Sequence, residues 1–288
     1  VTIKLFGLCR LKRENAASRC RLFAGVHRGA QIALLQKRRG SDKIIKSSRG
    51  GKDATDKVKV TLTASSGVLL DFGGEGCAID ALHDEKQRSW STVTPDMLPG
   101  IWTAFGPEGP ELVLATHGHP DHFSSGLWAQ AQERWQGAAF VSPAGGGRTV
   151  NPAGLSSFSV GGIRVETRPL PHEGAEYAGT PHYGYLVECG GFTVLHAGDC
   201  AVAAAELETW LAGRSPDLAV LDFPWLTLTR GRKFTEEVIR PKHLLLCHLP
   251  FAADDIDGYR AAAASAAGRE SVIADVRCLT RPFQTEAF

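Results

Sequence analysis

Hydrophobic and polar positions along this chain fall into a regular order only from Val58 onward. Residues 58–63, Val-Lys-Val-Thr-Leu-Thr, alternate with period two, as a strand with one covered face does. Residues 67–72 and 76–80 are short apolar runs closed by Gly and Asp, and predict the next strands of a meander. Residues 95–105 have weak helical spacing. The run Glu111-Leu112-Val113-Leu114-Ala115 predicts a short buried strand, followed by a helix over 123–135. Further strands are expected at 138–141, 156–160 and 163–167, separated by glycine-rich turns. The second half repeats the rhythm. A hairpin at 183–188 and 192–196 precedes helices at 201–211, 234–240 and 256–267, which alternate with strands at 218–222, 243–248 and 271–279. Runs of strands followed by strand–helix alternation, in both halves, imply an α/β protein with two packed sheets and helices outside.

The charge distribution separates residues before this pattern from those within it. Residues 1–59 hold 16 Lys/Arg against 4 Asp/Glu, a balance of +12, and the remainder holds 16 against 27, a balance of −11. The expected organisation is a basic, disordered leader at 1–57 outside the fold, and one globular domain at 58–288. A variant of this expectation is that translation begins near Val58. Basic leaders can also bind anionic partners or act as transit peptides. The seven cysteines are odd in number and lack a C-x-x-C pair, which argues against a disulfide framework and fits a reducing cytoplasm. No apolar stretch approaches the roughly 18–20 residues of a membrane span, so no membrane partner is expected.

Chemistry concentrates at Thr116-His117-Gly118-His119-Pro120-Asp121-His122, directly after the apolar run at 111–115. Pro120 biases His119 toward an extended backbone. Residues two apart in an extended segment point the same way, so His117 and His119 can converge on one point. Imidazole plus carboxylate suits zinc, manganese or iron. Asp121 and His122 add two more donors, yet four residues cannot close two metal shells. His172, Asp199 and His248, each at the end of a predicted strand, are the further candidates, because loops at one sheet edge are where scaffolded sites are built.

These residues resemble the metallo-β-lactamase superfamily of metal-dependent hydrolases, whose mark is H-x-H-x-D-H followed by a His, an Asp and a final His. The likeness covers residues 58–288, and His196-Ala197-Gly198-Asp199 with the loop order is most similar to the L-ascorbate-6-phosphate lactonase-like branch. The resemblance implies an αββα four-layer sandwich of two mixed sheets with two divalent ions, Zn2+ first and Mn2+ or Fe as alternatives. By position, His117, His119 and His172 would hold one ion, Asp121, His122 and His248 the other, and Asp199 would bridge. Cys200 stands where Thr is common, outside the ligand set.

Two such ions lower the pKa of a shared water from about 15.7 toward ~7, and act as Lewis acids on a carbonyl or phosphoryl oxygen. The expected function is therefore hydrolysis of a small ester, lactone or phosphodiester by a metal-bridged hydroxide, with Asp121 as catalytic residue. His196 is expected to support the ligands through hydrogen bonds. His182, Trp225, Arg230, Arg232 and Lys233 are candidate substrate contacts, the three cations as a grip on an anion. A nuclease on the same scaffold is an alternative, but the acidic balance of the domain disfavours a polyanion, so nucleic acid is not the expected partner. An iron-dependent oxidoreductase is the other alternative, although flavoprotein-like diiron members typically place an acidic residue where His119 stands.

Overall fold

The computed structural model describes residues 58–148 and 150–288, and the expectation for residues 1–57 falls outside them. Six strands form the first sheet: β1 (Lys59–Leu62), β2 (Val68–Asp71), β3 (Gly76–Ile79), β4 (Leu112–Leu114), β5 (Ala139–Val141) and, from the far end of the chain, β13 (Thr285–Ala287). Their spatial order is β13-β1-β2-β3-β4-β5, with β3, β4 and β5 parallel and the rest antiparallel. The second sheet contains β6 (Ser156–Val160), β7 (Ile163–Pro169), β8 (Tyr183–Cys189), β9 (Phe192–His196), β10 (Leu218–Asp222), β11 (His243–Cys247) and β12 (Asp275–Cys278). It runs in the order β12-β11-β10-β9-β8-β7-β6, parallel from β9 to β12 and antiparallel from β6 to β9. Both sheets are thus mixed, as expected.

Strands that read as unbroken apolar runs feed two layers at once, because successive side chains point to opposite faces. On β10, Leu218 and Val220 enter the core between the sheets, while Ala219 and Leu221 face the outer helices. On β4, Leu112 and Leu114 point inward, and Val113 packs outward with Ile101, Leu127 and Trp128. The outer layers are α1 (Leu98–Thr103) and α2 (Ser125–Arg134) on the first sheet, and α3 (Ala205–Leu211), α4 (Pro224–Thr227), α5 (Thr229–Phe234) and α6 (Tyr259–Ala267) with the second. This is the αββα arrangement. Ser124 caps α2 by accepting a hydrogen bond from Leu127 N at 3.2 Å. Among the described residues no helix is long and apolar enough to cross a membrane.

Four expected elements differ. The helix expected from 201 begins at Ala205, because Ala203 takes a left-handed φ of +63°. The stretch between the strand at 218–222 and the helix expected at 234–240 is itself helical: α4 and α5 start at Pro224 and run on into a π-helical turn, Thr235–Ile239. The helix expected from 256 starts at Tyr259, where Asp255 accepts hydrogen bonds from Tyr259 N at 2.8 Å and Arg260 N at 3.2 Å. The strand expected to close the chain does not do so: the chain turns back and β13 pairs with β1 of the other sheet.

Candidate metal centre

Strand ends from both sheets meet at one edge of the sandwich. β4 delivers His117 to His122, β7 leads to His172, β9 to Asp199, β10 ends at Asp222 and β11 delivers His248. Backbone bonds lock these loops together: Tyr183 N donates to Thr116 O at 2.8 Å, Glu173 N to Asp199 O at 2.8 Å, and His248 N to Ser65 O at 2.9 Å. Tyr185 adds a buried cross-sheet bond from its hydroxyl to Ala115 O at 2.7 Å. Gly198 takes φ +53°, and a Cβ there would lie 2.7 Å from His182 Nε2 and 2.8 Å from Thr116 Cβ, so the turn before Asp199 requires glycine. His248 itself adopts φ +54°, a conformation few non-glycine residues take.

The first donor group is a triangle of nitrogens. His117 Nε2 lies 3.0 Å from His119 Nδ1 and 3.3 Å from His172 Nε2, and the third edge, His172 to His119, is 3.2 Å. The other ring nitrogens identify the tautomers. His172 Nδ1 donates to Glu173 O at 2.6 Å. Thr116 Oγ1 donates to Asp80 at 2.7 Å and therefore accepts from His117 Nδ1 at 3.0 Å. The Nε2 atoms of His117 and His172 then face each other as lone pairs, an arrangement that repels unless a cation sits between them. A tetrahedral zinc with Zn–N bonds of about 2.0–2.1 Å separates its ligand nitrogens by about 3.3–3.4 Å. The triangle fits such an ion. Burial holds the His117 imidazole well below its usual pKa, which keeps it neutral as a ligand must be.

A second donor group adjoins it. Asp199 Oδ1 lies 3.0 Å from His122 Nε2 and 4.0 Å from His248 Nε2, and its Oδ2 lies 3.9 Å from His117 Nε2 and 3.7 Å from His172 Nε2. One carboxylate thus turns one oxygen toward each group. Asp121 Oδ2 lies 3.4 Å from His248 Nε2. His122 Nε2, Asp199 Oδ1 and His248 Nε2 are buried and meet one another and Asp121 only in ion-pair contacts, a cluster of donor atoms that could close on an ion. Burial works against protonation of His122 and His248, but Asp199 outweighs it. With Asp80 it raises His122 well above the imidazole range, and with Asp222 it raises His248 to about 9. Burial would raise Asp121, yet His248 and His122 lower it to about 2.

Two carboxylates here went unassigned in the sequence. Asp80 is fully buried and accepts from Thr116 N at 2.7 Å, Thr116 Oγ1 at 2.7 Å and His122 Nδ1 at 2.9 Å. It fixes the tautomer that turns His122 Nε2 inward. Asp222 forms a group with Asp199 and His248 whose donor atoms all lie within 4.8 Å. Burial and the Asp199 charge push its carboxyl well above the usual range. Both residues close apolar strand runs, the same signal that singled out Asp199.

The remaining candidates are placed differently. His196 is buried and accepts from Gly198 N at 3.2 Å, bracing the turn before Asp199. His182 donates to Leu170 O at 3.2 Å with its ring centroid 5.3 Å from that of His117, and burial lowers its pKa to about 4. Trp225 is fully buried and lines an apolar cavity beside the centre. Arg230 pairs with Glu173 at 2.8 Å, Arg232 donates to Leu226 O at 3.2 and 3.3 Å, and Lys233 lies 3.9 Å from Glu237. These three cations belong to α5 and line neither cavity at the centre.

Known proteins extend the picture. No curated protein matches the chain. Solved structures share its fold. Igni18, a metallo hydrolase from the archaeon Ignicoccus hospitalis, is 21% identical with a TM-score of 0.54, over 81% of this chain and 98% of that one. A possible metal-dependent hydrolase from Veillonella parvula is 14% identical with a TM-score of 0.57, over 81% and 100%. CmlA, a diiron β-hydroxylase from Streptomyces venezuelae, is 14% identical with a TM-score of 0.56, over 82% of this chain but 55% of its own. At such identities the likeness speaks for the fold alone. The model of the beta-lactamase superfamily domain matches residues 79–244, more than half of the sequence, and with the His/Asp groups at the strand ends it makes this chain a member of the metallo-β-lactamase superfamily.

Proposed function

We propose that the protein is a metal-dependent hydrolase of a small ester, lactone or phosphodiester. The observation that carries this reading is the pair of adjoining donor groups with Asp199 facing both. His117, His119 and His172 would hold one ion, Asp121, His122 and His248 the other, and Asp199 both. Two divalent ions bound there would supply Lewis acidity to the scissile group and lower the pKa of water toward neutrality.

The chain's own residues do the positioning. Asp121 is ionised at neutral pH and accepts a hydrogen bond from the attacking water, which fixes its approach; its low pKa suits it to orienting more than to storing a proton. Asp80 and Glu173 O hold the His122 and His172 rings in place. For an ester, the water oxygen bonds to the carbonyl carbon, the carbon–oxygen bond to the leaving alkoxide breaks, and a water proton goes to that alkoxide.

Metal analysis of the purified protein, alongside a panel of ester, lactone and phosphodiester substrates, tests the proposal. The expected result is two ions per chain and turnover of one class that chelation abolishes and zinc restores. Fewer than one ion per chain, with no uptake on reconstitution, overturns it. The third carboxylate, Asp222, favours a second reading, an iron centre with oxidative chemistry, because added oxygen donors suit harder ions. Oxygen consumption by the iron-loaded protein would favour it.

A further inference from the structure

Two cavities open on the candidate centre, and they differ in character. One, of about 290 Å3, has a mixed lining that includes Gln87, Arg88 and Asp121. The other, of about 240 Å3, is bounded by Trp90, Val202, Phe223, Pro224, Trp225 and Tyr259. They share Trp90, His172, Tyr177 and Asp199, so they meet at the centre itself.

The wall of the second cavity is built of stacked rings. Tyr259 stacks on Trp90 at 5.5 Å between centroids and on Phe223 at 4.9 Å, and Trp90 lies 4.2 Å from the His248 ring. Three elements distant in sequence supply these rings: the loop after β3, the start of α4 and the start of α6. Such a wall presents flat apolar surface beside the centre. Among the described residues no Lys or Arg lines this cavity, and its charged residues other than histidine are Glu173, Asp199 and Asp222. An anionic group placed against these rings would lose its hydration with no Lys or Arg on the wall to replace it. The volume lies below the roughly 300–1,000 Å3 of pockets that enclose a whole drug-sized ligand, so it suits one part of a substrate.

We propose that this aromatic cavity receives an uncharged apolar or aryl acyl group of a carboxylic ester or lactone, whose scissile carbonyl lies where the two cavities meet. The proposal rests on the hydrolase reading and narrows it by naming the group that the cavity holds. Any polar or anionic end of the substrate is left to the Gln87 and Arg88 side.

The test uses the zinc-loaded full chain. 4-Nitrophenyl phenylacetate and 4-nitrophenyl acetate differ only in the acyl group, and phenylacetamide is an uncharged binding probe. The parent should prefer the phenylacetate in kcat/KM by at least about tenfold, the scale of apolar pocket discrimination. Val202→Phe fills the cavity and Phe223→Ala removes part of its wall; both should bring that ratio toward one and weaken phenylacetamide binding, measured by calorimetry, at least tenfold. Two variants of opposite volume keep the test alive if one misfolds, which circular dichroism would reveal. Equal efficiency on the two esters, preference for bis(4-nitrophenyl) phosphate, or phenylacetamide binding that is absent or unchanged by both variants overturns the proposal. Phenylacetamide binding lost in the variants, without turnover of any ester, would uphold the cavity and overturn the hydrolase reading instead.

Discussion

Both donor groups are built on histidine, yet their surroundings push His117 one way and His122 and His248 the other. The His117 group is three imidazoles, with Asp199 Oδ2 at 3.9 Å from His117 Nε2 and 3.7 Å from His172 Nε2. The His122 group is rich in acids: Asp80 lies behind one ring, Asp121 beside the other, and Asp222 clusters with Asp199 and His248. In the metal-free protein burial therefore leaves His117 neutral, while the acids overcome burial and charge His122 and His248. Histidine has no fixed role; the number of carboxylates around it decides whether a cation meets a ready ligand or must first displace a proton.

Asp199→Ala breaks the comparison most severely, because it removes the residue that faces both groups. Metal content should fall from two ions to fewer than one per chain by elemental analysis, with kcat/KM reduced on the order of 10³-fold. Asp121→Asn touches the second group alone. It keeps the size but removes a charge, and kcat should drop by about 10²-fold while circular dichroism is unchanged. Near-normal turnover would refute the role given to Asp121.

Asp80→Asn sharpens the contrast further. It disturbs the support of His122 more than the triangle, so competition titration should show one ion weakened about 10–100-fold and the other bound nearly as before. Equal weakening of both would mean that the link through Thr116 to His117 couples the groups.

A pH series separates the groups without substitution. The raised pKa of His248 stabilises the chelated protein fully below about pH 6.5, and that contribution is lost as pH rises through about 9. His182, lowered to about 4, has the opposite sign: its contribution is present above about 6.5 and is lost as pH falls toward 4. Denaturant midpoints of chelated protein should therefore decline from pH 6.5 to 9, and His248→Gln should flatten that decline. An unchanged slope in the variant would remove His248 from the account. The smallest expected effect is Arg232→Ala. The guanidinium donates to Leu226 O, so a stability loss of about 1 kcal/mol is expected, with KM unaltered. A raised KM would return this residue to the substrate contacts.

Most of the scaffold is legible from the apolar pattern, since β4, β10 and β11 are short buried runs and the donors follow them. The heptapeptide at 116–122 carried its own geometry: Pro120 and two-residue spacing bring His117 and His119 to 3.0 Å. His172, Asp199 and His248 were visible because each ended a strand. Asp80 and Asp222 ended strands too and were passed over, because a lone acid after an apolar run is also how a strand commonly stops. The cations at 230–233 carry the converse lesson, since charge along the chain does not say which partner it meets. Charge next to a candidate site suggested a grip, but α5 turns those side chains to Glu173, Leu226 O and Glu237.

What the sequence determined by itself was therefore local: which segments alternate, where strands end, and which donors sit close enough along the chain to converge. Only the tertiary structure decided the rest. It alone brings Trp90, Phe223 and Tyr259 into one stack, sets the Asp199 oxygens toward different groups, and buries Asp80 behind His122. The physical reason is that a donor's charge state depends on burial and on neighbours far along the chain, Asp80 and His122 being 42 residues apart. Spacing along one strand conveys direction, whereas the field at a ligand is a sum over residues that only packing makes neighbours.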